Sequence, residues 1–368
     1  MAERPLTGER RAFMAGNEVL AWATLAAGAD VMYGYPITPQ NELMHYWTRL
    51  AHRFGREFLQ TEDELSAGFA TIGGVLAGKK AFTATAGPGN VLMQEPLSMA
   101  EMMRLPVVVI VAQRGGPSTG TVIYSQQELN LTCFGGNGEG FRVVYSTSSH
   151  QELFEYTLKA FNIAWKYRFP TFILGDGYQS KMYEPIILFD PEERGWEMVP
   201  ARPLLGLPGR PGEEREPVHL RNTFNLEEEL YEVVMAAAGD YARAAADLAE
   251  YVTFRADDCE LLIVAHGVVA RAALAAVKIL RQQGLKAGYF RPITLRPLAE
   301  KELREAAGGA RLILVAESAY GQLERLIKPS LYGLEQPVHG YFRPGLGITP
   351  EEIAAEAAKI LNSAGYGL

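Results

Sequence analysis

From Gly16 to about Asp176, short apolar runs alternate with stretches of helical spacing. Val19–Ala27 has the helical pattern; Ala29–Tyr33 is a strand that ends in the turn Tyr35-Pro36-Ile37-Thr38-Pro39. Glu64–Ala77 predicts a helix of small residues and Lys80–Thr85 a strand, after which Gly87-Pro88-Gly89 turns the chain into a helix through Met102. Val107–Ala112 is an unbroken, mostly β-branched run, the pattern of a strand covered on both faces. His150–Tyr167 reads as helix and Pro170–Leu174 as strand. Strands separated by helices of this length predict right-handed βαβ units and a parallel sheet.

The pattern then changes. Leu204–Pro217 is dense in Pro and Gly and carries the charge run Glu213-Glu214-Arg215-Glu216, as a connection or exposed loop would. Leu226–Tyr251 predicts a long helix rich in Ala and Glu. A second α/β region starts at Glu260, with strands at Leu261–Ala265, Ala287–Phe290 and Leu312–Glu317 and helices at Val268–Gln283 and Glu300–Ala307. The expectation is two doubly wound α/β domains, residues 1–200 and 256–368, joined by a helical linker at 201–255.

Composition narrows the class. With 368 residues, 48% hydrophobic and 21% charged, the chain has globular proportions and enough bulk for two or three domains. A net charge of −8 and the lack of any basic run argue against a nucleic-acid partner. Two cysteines, Cys133 and Cys259, are fewer than an iron–sulfur cluster takes, and they make no disulfide framework. Met1–Arg11 is polar, without a signal-peptide core, and no stretch reaches the ~18 apolar residues of a membrane span. A soluble, cytoplasmic protein with no membrane association is expected.

In open α/β sheets, sites form where the carboxyl ends of strands meet the following helix starts. That rule gathers Tyr35–Thr38, Thr85–Gly89 and Arg114–Thr119 on one rim. Thr38 can aim its hydroxyl at a ligand or simply cap the next helix. Gln60-Thr61-Glu62-Asp63-Glu64 opens a helix with three carboxylates. Either they complement the positive helix end, or one is buried where a cofactor or second chain approaches the small-residue face. Ala86-Gly87-Pro88-Gly89-Asn90 offers backbone amides to an anion but lacks the third glycine of the dinucleotide fingerprint. Arg114 either clamps a carboxylate bidentately or stands solvated in a surface loop. Gly175-Asp176-Gly177 looks like the start of a thiamine diphosphate Mg²⁺ site, yet no Asn follows as far as Pro203. The metal and diphosphate would then be held elsewhere, and no metal ligand is assigned in this chain. The six histidines show no metal spacing, and His266, at a strand end, reads as structural.

Several motifs occur together and in order: Gly34-Tyr35-Pro36-Ile37-Thr38-Pro39, Glu62-Asp63-Glu64, Thr83-Ala84-Thr85-Ala86-Gly87-Pro88-Gly89 and Gln113-Arg114-Gly115-Gly116-Pro117-Ser118-Thr119-Gly120. Gly135-Gly136-Asn137-Gly138-Glu139, Phe290-Arg291-Pro292-Ile293-Thr294 and Glu317 continue the series. Spanning nearly the whole chain, they resemble the α subunit of 2-oxoacid:ferredoxin oxidoreductases. The resemblance implies a pyrimidine-binding thiamine diphosphate domain followed by a smaller domain like the transketolase C-terminal domain. It implies that Glu64 bonds the aminopyrimidine ring and so favours the imino tautomer that activates the cofactor. It places Thr38 and Arg114, with Pro36 and Ile37, at the 2-oxoacid, and Thr85, Gly87 and Gly89 at the cofactor.

The same resemblance assigns diphosphate, Mg²⁺ and a [4Fe–4S] cluster to a β subunit. It brings in coenzyme A as co-substrate, ferredoxin as acceptor, a γ subunit and a ferredoxin-like δ subunit. A dimer of heteromers is expected, with γ separate because the chain starts about fifteen residues ahead of Gly16-Asn17-Glu18. The implied activity is CoA-dependent oxidative decarboxylation of a 2-oxoacid. After Gly120 many 2-oxoglutarate-type relatives continue with Pro, Thr and Lys, whereas this chain has Thr121-Val122-Ile123-Tyr124. That leans toward an apolar or aromatic 2-oxoacid read partly by Tyr124, unless these side chains only pack the loop. The alternatives are a 2-oxoglutarate-specific member, a non-redox thiamine diphosphate enzyme subunit, and a scaffold subunit without catalytic residues.

Overall fold

The computed structural model describes residues 5–205, 220–363 and 365, so the expected loop at Leu204–Pro217 lies, from residue 206 on, outside the described residues. The first part runs β1 (Glu9–Ala15), α1 (Gly16–Ala26), β2 (Val31–Gly34), α2 (Asn41–Phe54), β3 (Glu57–Gln60), α3 (Glu64–Leu76), β4 (Ala81–Thr85), α4 (Pro88–Leu92), α5 (Gln94–Met102) and β5 (Val108–Gln113). It continues through α6 (Leu129–Phe134), β6 (Val143–Ser146), α7 (His150–Tyr167), β7 (Thr171–Asp176), α8 (Gly177–Lys181) and β8 (Tyr183–Phe189). The second part comprises α9 (Glu227–Leu248), β9 (Tyr251–Phe254), β10 (Leu261–Val264), α10 (Gly267–Gln282), β11 (Ala287–Pro292) and β12 (Thr294–Arg296). It ends with α11 (Glu300–Gly309), β13 (Leu312–Glu317), α12 (Gln322–Ile327), a 3₁₀ turn, β14 (Val338–Phe342) and α13 (Pro350–Ser363).

Seven strands form the main sheet in the order β12-β6-β7-β5-β4-β2-β3, and five form the second in the order β14-β13-β10-β11-β9. Six strands of the main sheet run parallel, and β12 closes its edge antiparallel to β6. That edge departs from the expectation: Thr294–Arg296 follows the second sheet's β11 in sequence but joins the first sheet. Likewise β9, inside the segment expected to be helical linker, pairs antiparallel with β11. A separate antiparallel ribbon, β1 with β8, is also absent from the expected architecture.

The expected helix from Gly87 to Met102 is two helices, with Met93 between them. The cause is Pro96, whose ring would meet the Leu92 carbonyl in a continuous helix and which offers no N–H to it. On one face of the main sheet, α1, α2 and α7 bury a core that includes Trp47, Phe82 and Phe161. On the other, Val109, Val111 and Phe172 join Leu262, Val264, Phe290 and Ile313 of the second sheet in one continuous core. Arg291 fixes the two parts further, donating at 2.8 and 2.6 Å to both oxygens of Glu152 and at 3.0 Å to the Ser146 carbonyl. Among the described residues no helix is long and apolar enough to cross a membrane.

Candidate functional site

Strands β2, β4, β5 and β7 deliver Gly34, Thr85, Gln113 and Asp176 to one rim of the sheet. The acidic cluster at the start of α3 divides there into separate jobs. Asp63 is the N-cap: its carboxylate accepts from Ser66 N at 2.7 Å, and these hydrogen bonds hold its pKa below the usual range. Glu62 is exposed, while Glu64 is 4% exposed. Burial pushes the Glu64 carboxyl above its ordinary range, the neighbouring Asp63 adds to this, and the Arg114 charge opposes it. A desolvated carboxylate on a cleft rim has the character of a functional group.

Glycines explain why other groups can crowd Glu64. A Cβ on Gly89 would stand 2.6 Å from Glu64 Cδ, with Thr85 Oγ1 and Glu64 Oε1 closer still. At Gly87, where φ is +52°, a Cβ would meet Arg114 Cγ at 3.1 Å and Cδ at 3.2 Å. The turn therefore lets Glu64, Thr85 and Arg114 converge on bare backbone. Arg114 donates through Nη1 to the Thr38 carbonyl at 2.8 Å, which joins the first and third loops of the rim. Thr85 Oγ1 and Arg114 Nε are buried without a hydrogen-bond partner among the described residues. Such orphaned groups beside a desolvated carboxylate fit a ligand that offers both donors and acceptors, as an aminopyrimidine does, beside one that offers acceptors, as a 2-oxoacid does.

Other expectations are corrected. The Gly87–Asn90 turn does not present free amides to an anion: Gly87 N donates to Glu128 Oε1, Gly89 N to the Ala86 carbonyl and Asn90 N to the Gly87 carbonyl. Thr38 does not cap the next helix, because Gln40 is the N-cap residue of α2. Pro36 is exposed and Ile37 half-buried in the same turn. Tyr124 is only 1% exposed and stacks on Tyr178 with centroids 4.1 Å apart, whereas Val122 and Ile123 are exposed. The aliphatic pair therefore forms the exposed surface of this loop, and Tyr124 is packed inside it.

Asp176 is the N-cap of α8, accepting from Gln179 N at 3.0 Å, and also from Val268 N of the second part. It thus ties the main sheet to the start of α10, and its burial pushes its pKa up to about 7. His266 sits beside it, its ring Nδ1 2.9 Å from Ser146 Oγ and its pKa pushed down to about 3 by burial. Glu317 accepts from the backbone amides of Gln322, Leu323 and Glu324 and so caps α12. Cys133 and Cys259 are buried free thiols.

Ser125-Gln126-Gln127-Glu128, which carries no motif in the sequence, fastens the rim. Gln126 donates to the His266 carbonyl at 2.9 Å and accepts from Ser318 N at 2.9 Å. Gln127 Oε1 accepts from Gly116 N at 3.3 Å and from Ser125 Oγ at 3.0 Å. Glu128 takes amides from two loops of the rim at once. The local signal is polarity without periodicity between two apolar segments, and that does not separate a staple from a solvated loop.

Comparison with known proteins gives the family. The model of the thiamine-diphosphate-binding part of pyruvate flavodoxin/ferredoxin oxidoreductases matches residues 22–252, and that of core domain II of pyruvate:ferredoxin oxidoreductase matches residues 259–353. Ketoisovalerate oxidoreductase subunit VorB of Methanothermobacter thermautotrophicus is 33% identical, covering 85% of this chain and 88% of its own length. 2-Oxoglutarate synthase subunit KorA of Methanothermobacter marburgensis is also 33% identical, over 84% of this chain and 88% of its own. A solved 2-oxoglutarate:ferredoxin oxidoreductase from Magnetococcus marinus, with 2-oxoglutarate, coenzyme A and succinyl-CoA bound, has a TM-score of 0.85 and 25% identity. That match covers 95% of this chain, which spans 65% of the solved one. A split-gene transketolase at 16% identity and TM-score 0.61 shares the fold. On these matches the chain belongs to the 2-oxoacid:ferredoxin oxidoreductase family and is similar to its α subunits.

Proposed function

We propose that this chain is the α subunit of an enzyme that oxidatively decarboxylates a 2-oxoacid. The acyl group passes to coenzyme A, CO₂ leaves, and the electron pair passes to ferredoxin. The carrying observation is Glu64: a desolvated carboxylate with no ion-pair partner among the described residues, packed on the bare backbone of Gly89. Thiamine diphosphate, when bound, supplies the electron sink. Glu64 would hold its aminopyrimidine ring, with Thr85, Gly87 and Gly89 as the cradle, while Arg114 and the Thr38 turn receive the substrate carboxylate. In this reading residues 1–200 are the pyrimidine-binding domain, 201–255 the bridge and 256–368 the transketolase C-terminal-like domain, with β9 and β12 crossing those limits.

The partner subunits complete the site. Gly68 and Gly74 of α3 face inward, where a Cβ would strike Pro96 or Tyr33 and Ala81. Gly73 has nothing within 4 Å of its Cβ position and lies with Phe69 on the outer stripe of α3, and Val91 and Leu92 of α4 are exposed as well. That apolar rim suits a β subunit bringing diphosphate, Mg²⁺ and the [4Fe–4S] cluster; γ and ferredoxin-like δ subunits and a dimer of heteromers belong to the same reading. Relatives at equal 33% identity are named for a branched-chain and for a dicarboxylic substrate, so identity does not rank the two. Exposed Val122 and Ile123 favour an apolar tail.

The test is the co-expressed complex, assayed for ferredoxin reduction that depends on 2-oxoacid, coenzyme A and thiamine diphosphate. The isolated chain should reduce nothing. Arg114→Ala in the complex should lower kcat/KM for pyruvate, 2-oxoglutarate, a branched-chain and an aryl 2-oxoacid by a similar factor, with only partial rescue by lysine. Decarboxylation without acceptor reduction would make this a non-redox thiamine enzyme and overturn the proposal.

A further inference from the structure

Glu128 lies between the turn after β4 and the segment that leaves β5. It lies at the N-cap of α6, is 5% exposed, and has no ion-pair partner within reach among the described residues. Both of its oxygens are nevertheless hydrogen-bonded. Oε1 accepts from Gly87 N at 2.8 Å and from Arg114 N at 2.9 Å; Oε2 accepts from Asn90 Nδ2 at 3.0 Å. A single carboxylate oxygen therefore fixes the backbone of the turn after β4 against the backbone that leaves β5. The first carries Gly89, on which Glu64 packs, and the second carries the Arg114 side chain, which lies against Gly87. Burial raises the Glu128 carboxyl, and the hydrogen bonds from Arg114, Asn90 and Gly87 oppose this.

The network continues inward. Asn90 Nδ2 also donates to Thr132 Oγ1 at 3.1 Å, and Gln94 Nε2 donates to Asn90 Oδ1 at 3.0 Å. The fully buried Arg142 then donates to Gln94 Oε1 at 2.8 Å. With both ends of Asn90 and Gln94 occupied, the amide orientations are fixed and Asn90 presents only N–H to Glu128. The position thus requires an acceptor-only group.

We propose that Glu128 is a positioning residue for the reaction: it sets the distance between Arg114, which reads the substrate carboxylate, and Glu64, which reads the cofactor. This rests on the roles given above to Arg114 and Glu64. Glu128 touches neither substrate nor cofactor and acts through the two backbone amides it holds.

A charge swap tests it in the assembled enzyme. Glu128→Gln sets an NH₂ against the Asn90 NH₂ or against the two backbone amides; Asn90→Asp sets two carboxylates against each other. Combining the two substitutions restores the pattern. The amide introduced at position 128 then donates to the carboxylate introduced at position 90, which also accepts from Thr132 and Gln94. Each single variant should raise KM for all four 2-oxoacids alike and lower kcat, about 10–100-fold in kcat/KM, because misplacement of reacting groups costs that much. The double variant should recover most of the loss. Amide hydrogen exchange of peptides holding Gly87 and Arg114 should speed up in the single variants and return in the double. Singles with wild-type KM, or a double no better than the worse single, would overturn the inference. If Arg114→Ala itself leaves every KM unchanged, the clamp reading fails instead, and the exchange data still decide whether Glu128 holds the two loops.

Discussion

Gly89→Ala isolates the geometry of the carboxylate from its chemistry. The added methyl would lie 2.6 Å from Glu64 Cδ, against the 3.4 Å at which ordinary contact begins, a shortfall of about 0.8 Å. Thr85 Oγ1 also crowds the same methyl, so more than one side chain must shift to admit it. Position 89 lies in the first turn of α4, so alanine suits the backbone and the strain falls on side chains. Overpacking of this kind costs about 1–3 kcal/mol in stability, which leaves the chain folded. A displacement near 1 Å at a catalytic group costs about 10²-fold in rate. The assembled Gly89→Ala enzyme should therefore melt within a few degrees of wild type and turn over about 100-fold more slowly at saturating 2-oxoacid. Thermal denaturation and initial-rate ferredoxin reduction measure the two. Full turnover by a Gly89→Ala enzyme would mean that the position of Glu64 does not matter, and the reasoning behind the site would fall.

Glu64→Gln should keep the fold and lower the rate by about 10²–10⁴, the scale of a positioned acid–base group, whereas Glu62→Gln, at an exposed position just before the helix, should cost little. The same rate assay reads both, and reversed effects would mean that the catalytic carboxylate is the other one. Asp176 predicts a pH dependence. Burial raises it from 3.8 to about 7, so between those values the folded chain holds a proton that the unfolded chain has released. The Asp176 contribution to stability should fall as pH rises through that window and level off above it. His266 acts in the opposite sense: burial lowers it from 6.5 to about 3, so between those values the unfolded chain holds the extra proton and stability gains as pH rises. Urea midpoints from about pH 4 to 8 should therefore rise more steeply with pH in Asp176→Asn than in wild type, because the substitution removes the falling contribution and leaves the rising one.

Much of the fold follows from local pattern. β5 announces itself because a strand covered on both faces must be apolar throughout, and α7 because Ser149 caps a long amphipathic run. The site is legible wherever a motif carries its own chemistry, as with Glu64, Arg114 and the glycines between them. What escapes is decided by distant partners. α2 places Leu43, Met44, Trp47, Ala51 and Phe54 on one face, a period open to reading, but the prolines before it look like loop. β12 is three residues long and becomes a strand only because β6 has an open side. Glu128 looks like any acid in a polar loop until the fold brings Gly87 and Arg114 to it. Asp176 lacks a metal partner in the sequence, and its role as a clamp depends on Val268, remote along the chain.

The short antiparallel strand β12 also sets an order of events during synthesis. Residues up to Phe189 contain six of the seven strands of the main sheet, and they leave the ribosome well before Thr294. Until β12 arrives, β6 presents a free edge of unpaired backbone N–H and C=O groups, ready to accept any extended segment nearby. The nascent first part is thus most prone to misassociation while the chain between Ser146 and Thr294 is being made. A truncation placed anywhere in that interval would make the exposure permanent, so the first part expressed alone should aggregate.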